Sequence, residues 1–120
     1  MGSLYSFDID GTLEVGDPSG SIPMELVRQI KADGHIVGSC SDRPVSFQQG
    51  IWERHRIEAD FTVVKDQLEA VKAQFSAETY YHIGDTDMDE FFAGRAGFHF
   101  IKVDSVPFFD WSAGLGWSLR

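Results

Sequence analysis

Five short β-rich runs alternate with four stretches of helical periodicity along this chain, and that alternation leaves few folds open to it. The runs Leu4–Asp8, His35–Cys40, Phe61–Val64, Tyr80–Ile83 and Phe98–Val103 are mainly apolar, β-branched or aromatic, the composition of buried strands. Between them apolar residues recur three or four apart, at Met24/Val27/Ile30, Phe47/Ile51, Leu68/Val71/Phe75 and Met88/Phe91/Phe92, each set tracing one face of a helix. Pro23 and Pro44 fall where a first helical turn tolerates proline, and Gly34 follows the first helix as a C-cap. Strand–helix–strand units with right-handed crossovers build a parallel sheet sandwiched between helices, an α/β architecture. Such sheets bind ligands outside the carboxyl ends of their strands. The Gly-, Asp-, Pro- and Ser-rich stretch from Glu14 to Ser21 reads as an exposed loop.

The chain has 120 residues, too few to divide into two well-buried cores, so one domain over 1–120 is expected. Its net charge is −9 and stays negative when the acids discussed below are set aside. An acidic surface repels a phosphate backbone, which argues against nucleic acid as a partner. Cys40 is the only cysteine, so no intrachain disulfide can form. No run is apolar enough to span a bilayer, and no basic segment precedes an apolar one at the N-terminus. A cytoplasmic protein without a membrane partner is expected.

Chemistry is concentrated at two strand ends. Asp8-Ile9-Asp10-Gly11-Thr12 follows the first strand, and residues two apart on an extended chain face one way, so Asp8 and Asp10 present two carboxylates to one site. Gly11 lets the backbone leave the strand in a conformation other residues disfavour. An Asx turn ending a strand would explain this segment without any chemistry. Gly84-Asp85-Thr86-Asp87-Met88-Asp89 follows the fourth strand, with Asp85 at the strand end and Asp89 one helical turn further on. Acids matching a helix dipole account for Asp87. They do not account for two acid-rich turns that both follow buried strands, where clustered carboxylates suit Mg²⁺.

Together these residues resemble the haloacid dehalogenase-like superfamily, whose first motif is Asp-x-Asp-Gly-Thr and whose fourth is Gly-Asp-x-x-x-Asp. Its second motif, a Ser or Thr ending the second strand, is matched by Ser41 in Ser41-Asp42-Arg43-Pro44, with Ser39 as the alternative. Its third, a Lys upstream of the fourth motif, is matched by Lys65, with Lys72 as the alternative. The resemblance runs from about Leu4 to Val103. It implies a Rossmann-like three-layer sandwich with strand order 3-2-1-4-5 and a phosphomonoester hydrolase activity. Asp8 would form an aspartyl-phosphate, and Asp10 would act as general acid, then base. Mg²⁺ would be held by Asp8, the Asp10 carbonyl and Asp85, with Asp89 in support. Ser41 and Lys65 would meet the phosphoryl oxygens, with Gly11, Thr12, Asp42 and Arg43 around them.

Position 10 separates branches of that superfamily. Dehalogenating members lack the second acid, and P-type ATPases, far larger membrane proteins, carry Lys there; retention of Asp10 implies phosphoryl chemistry. The intervals from Asp10 to Ser41 and from Ser41 to Lys65 are filled by core elements, so no cap domain is expected. An uncapped site implies either a large substrate or a neighbouring subunit over the opening. The substrate is expected to be a phosphorylated small molecule.

Other residues have plainer readings. Arg43 either meets a substrate anion or starts a helix. Arg54-His55-Arg56 suits a helix C-terminus. His35 and His82 fall on strands, where a structural role is expected. The aromatic tail, residues 104–120 with Phe108, Phe109, Trp111 and Trp117, either folds back on the core or forms a homo-oligomer contact. The competing functional class is a non-catalytic phospho-acceptor or binding module such as a response-regulator receiver. Receivers phosphorylate an Asp after a middle strand, whereas the double-Asp turn here follows the first.

Overall fold

A computed structural model describes residues 2–103; the aromatic tail lies outside the described residues. Five strands, β1 (Leu4–Phe7), β2 (Ile36–Ser41), β3 (Phe61–Val64), β4 (Tyr80–Gly84) and β5 (His99–Lys102), form one sheet. Every neighbouring pair is parallel and the order is β3-β2-β1-β4-β5, the Rossmann-like arrangement expected. The helices are α1 (Met24–Ala32), α2 (Val45–Arg54), α3 (Leu68–Gln74) and α4 (Asp87–Ala96), with a 3-10 turn over Lys65–Gln67.

Alternation along the strands divides the core in two. Tyr5 and Phe7 of β1, Val37 of β2 and Ile83 of β4 face α1 and α2, packing on Leu26, Val27, Ile30, Ile51 and Trp52. Leu4, Cys40 and Phe61 face the other way, against Leu68 and Val71 of α3 and Ala93 and Ala96 of α4. These two layers of helix on a parallel sheet give the three-layer sandwich. None of the helices among the described residues is long and apolar enough to cross a membrane.

Several expected boundaries and faces shift. Ser41 is the last residue of β2 rather than the first beyond it, and His35 precedes the strand. Phe75 leaves the helical conformation at the end of α3. Phe47, Met88 and Phe91 were expected on buried helix faces, yet all three are exposed. The reason is local: α2 turns Gln48, Ile51 and Trp52 inward and leaves Phe47 out, and α4 buries its small and polar residues Asp89, Ala93 and Ala96. Gly34 has a positive φ of 94°, as a residue just past a helix end requires.

Glu14–Ser21 is more than a surface excursion. Leu13 and Ile22 form a parallel bridge across its base, and Gly11 N–H donates to the Pro18 carbonyl at 2.6 Å. Asp17 N–H donates to Asp10 Oδ1 at 2.8 Å, which brings the loop back onto the end of β1.

Candidate active site

The carboxyl ends of β1, β2 and β4 meet around a cleft of about 150 Å³ lined by Asp8, Asp10, Pro18, Ser41, Asp42, Lys65, Asp85 and Thr86. A larger groove, about 720 Å³, runs between the end of α2 and β3 past Trp52, Arg56 and Phe61, and none of the motif residues lines it. The motif residues therefore gather at the smaller cleft.

Asp8 is 4% exposed, and its Oδ1 accepts a 2.8 Å bond from Ile9 N–H. Burial pushes its carboxyl up to about 8; the Asp89 charge adds to the rise, and Lys65 and the Ile9 N–H oppose it. Lys65 is also buried, at the start of the 3-10 turn. Its ammonium lies between three carboxylates, 3.6 Å from Asp8, 3.6 Å from Asp42 and 3.4 Å from Asp89. Burial alone would lower the Lys65 pKa, but these acids raise it, so the ammonium keeps its charge.

Asp10 lines the same cleft but is more exposed than Asp8, and its carboxylate is engaged by Arg43 and the Asp17 N–H. Arg43 donates to it from Nε at 2.7 Å and from Nη2 at 3.3 Å, a two-point contact. Burial works to raise the Asp10 pKa, yet the Arg43 and Asp17 hydrogen bonds outweigh it and hold the carboxyl below its usual range. The guanidinium of Arg43 lies 4.8 Å from the centre of the exposed Phe47 ring. Arg43 N–H also donates to Ser41 Oγ at 3.1 Å.

Asp89 is wholly buried behind the cleft. Its Oδ1 meets His82 Nε2 at 2.9 Å and Lys65, and its Oδ2 accepts from Thr86 N–H at 3.2 Å and from Thr86 Oγ1 at 2.9 Å. Thr86 in turn accepts from Asp89 N–H, completing a capping box at the start of α4. Burial would raise the Asp89 pKa, but His82, Lys65 and Thr86 together pull it far below the ordinary value. These donors engage roughly all four lone-pair positions of a carboxylate. Asp89 is thus spoken for, and the side chains left to receive a cation are Asp8 and Asp85.

Asp85 has the features of an unfinished site. Its Oδ1 is buried with no hydrogen-bond partner. One oxygen each from Asp8, Asp85 and Asp89 lies within 4.8 Å of the others. Gly11 sits opposite at φ 73°, and a Cβ there would collide with the Asp85 carboxylate, so glycine is required by both conformation and space. An all-oxygen donor set with one orphaned buried oxygen fits Mg²⁺. The Asp10 side chain is not part of this cluster.

The remaining expected residues sort themselves by position. Ser41 lines the cleft, whereas Ser39 is buried under α2, donating to Gln48 Oε1 at 2.6 Å and accepting from Trp52 Nε1 at 3.0 Å. Lys72 points elsewhere and donates to the Gly97 carbonyl at the end of α4. Thr12 is wholly buried outside the cleft, its hydroxyl without a partner. Asp42 is at the mouth, its side chain 83% exposed. Sequence reasoning missed Pro18 and Thr86 in the cleft wall and the link from His82 to Asp89. His82 carried a signal: it lies two residues before Gly84 on a strand, on the face that Asp89 covers, and a buried imidazole there needs a polar partner.

No family model, curated protein or solved structure matches the chain.

Proposed function

We propose that this chain is a Mg²⁺-dependent phosphomonoester hydrolase of the haloacid dehalogenase-like kind, with Asp8 as nucleophile. The observation that carries this reading is the convergence of Asp8, Asp10, Ser41, Lys65 and Asp85 on one cleft at the ends of three parallel strands. Its volume equals roughly five water molecules at about 30 Å³ each, space suited to a phosphoryl group with an ion. Asp8, Asp85 and the Asp10 carbonyl would hold Mg²⁺, which supplies positive charge against the phosphoryl oxygens.

Asp8 attacks phosphorus, the bond to the ester oxygen breaks, and an aspartyl-phosphate forms. Ser41 donates to a phosphoryl oxygen, and Lys65 offsets the charge shared by the phosphoryl group and Asp8. Asp10 gives its proton to the departing alkoxide and afterwards takes one from the water that cleaves the intermediate, releasing phosphate. Arg43 holds Asp10 ionised in the resting site, the state needed for that second task. The first task needs a protonated Asp10, so the arriving ester must loosen the Arg43 contact.

The direct test is release of yellow nitrophenolate from p-nitrophenyl phosphate in Mg²⁺. Turnover is the expected result. A phosphoryl group that stays on Asp8 with no turnover would favour the phospho-acceptor reading instead. The Asp10 assignment has its own measurement. Asp10→Asn should lower kcat on alkyl phosphates by about 10²–10⁴ and lower phospho-enzyme formation from p-nitrophenyl phosphate much less, since nitrophenolate departs with little protonation. Equal losses for both ester types in that step would remove Asp10 as the acid.

A further inference from the structure

His82 belongs to none of the steps above, yet it is wholly buried behind them. It lies on β4 beside Ser6 of β1, its partner in the parallel register. Its Nδ1 is 3.0 Å from Ser6 Oγ and its Nε2 is 2.9 Å from Asp89 Oδ1. An ionised carboxylate only accepts, so a proton is on Nε2, and on a neutral ring the Ser6 hydroxyl donates to Nδ1. Both ring nitrogens are then satisfied. From His82 the contacts continue through Asp89 to Lys65, and from Lys65 to Asp8.

We infer that His82 is a positioning residue that holds Lys65 within reach of Asp8 by sharing Asp89 Oδ1 with it. The inference rests on the phosphatase reading for what Lys65 does, and on geometry for how His82 acts. The separations between Lys65 and its three acids, 3.4 to 3.6 Å, are those of an ammonium shared among partners rather than closed on one. Asp42 is a weak anchor because its side chain is 83% exposed. Asp89 is the fixed post, pinned on its other oxygen by Thr86. Its Oδ1 divides its accepting capacity between His82 and Lys65. Remove the Nε2–H, and Lys65 becomes the sole donor to that oxygen. The ammonium then closes toward Asp89, to about 2.8 Å, the length of a charge-assisted bond, and withdraws from Asp8.

The test uses His82→Leu, which keeps bulk without a donor, and His82→Gln, whose amide nitrogen can reach the position of Nε2. Groups that orient a reacting group from behind typically change activity 10- to 100-fold. His82→Leu should therefore lower kcat by about that factor with KM nearly unchanged, and His82→Gln should restore most of it. In a Lys65→Met background, His82→Leu should have no further effect on kcat. A purely structural His82 would cost the same factor in both backgrounds, and that outcome overturns the inference. A second arm needs no turnover. In protein labelled with ¹⁵N-lysine, the Lys65 ammonium resonance should shift in His82→Leu and return toward its original position in His82→Gln. An unmoved resonance in a folded His82→Leu protein also overturns the inference. Absence of any wild-type esterase turnover would instead sink the phosphatase reading, and the resonance would still decide the position of Lys65.

Discussion

Asp8→Asn is expected to abolish turnover, on the order of 10⁴-fold or more, while leaving the fold intact or slightly more stable. The rate effect follows from removal of the atom that forms the phospho-enzyme, since none of the other carboxylates among the described residues combines burial at the cleft floor with a place beside Lys65. The stability effect follows from linkage. Burial and Asp89 raise the Asp8 pKa from 3.8 to about 8, so the folded state holds a proton that the unfolded chain has released. Stability therefore falls as pH rises between those values, because at neutral pH the native site bears the cost of keeping Asp8 protonated. Asparagine keeps the shape and the acceptor for Ile9 N–H, and it carries no charge to desolvate. Steady-state kinetics and thermal melting on one preparation decide the matter. Retention of more than a few per cent of kcat would sink Asp8 as nucleophile. Loss of activity together with a large fall in Tm would reassign it to structure.

What could be read from the sequence was set by how locally each feature is determined. β3 emerges at Phe61–Val64, the range its β-branched and aromatic run predicts, and the two acid-rich turns stand at the ends of β1 and β4. Those features depend on a few neighbouring residues. The choice between Ser39 and Ser41 did not, because residues two apart on a strand face the same side. Only the depth along β2 separates them, with Trp52 and Gln48 lying over Ser39 and the cleft opening at Ser41. The outward-facing Met88 and Phe91 of α4 have a related cause. A helix that packs close to a sheet through Ala93, Ala96 and a hydrogen-bonded Asp89 buries its small and polar side, so apolar period alone picks the wrong face. Arg43 against Asp10, and Pro18 in the cleft wall, depend on where two loops return. No periodicity reports such a return.

Removal of divalent metal should likewise abolish turnover, and Mg²⁺ should restore it. Asp8, Asp85 and Asp89 bring oxygens to within 4.8 Å of one another. Two unit charges at that separation repel by about 3.5 kcal/mol at an effective dielectric near 20, and the phosphoryl group adds further negative charge. Lys65 is one cation shared among three acids, which is too little to balance them. Without a second cation the relief is protonation of Asp8, whose pKa burial and the Asp89 charge raise, and a protonated carboxyl is a poor nucleophile. The orphaned Asp85 Oδ1 marks where the missing charge belongs, and Gly11 leaves the Asp85 carboxylate the room to stand there. Binding should also register without any substrate. Mg²⁺ at 100 times its Kd adds about 2.7 kcal/mol to folding stability, a rise of several degrees in Tm for a domain of this size. Asp85→Asn should lose that rise, because it removes a ligand without touching the nucleophile. Turnover that continues undiminished after exhaustive chelation, in protein shown metal-free by elemental analysis, would remove the ion from the reaction. A Tm that ignores Mg²⁺ in the wild type would remove it from the cleft.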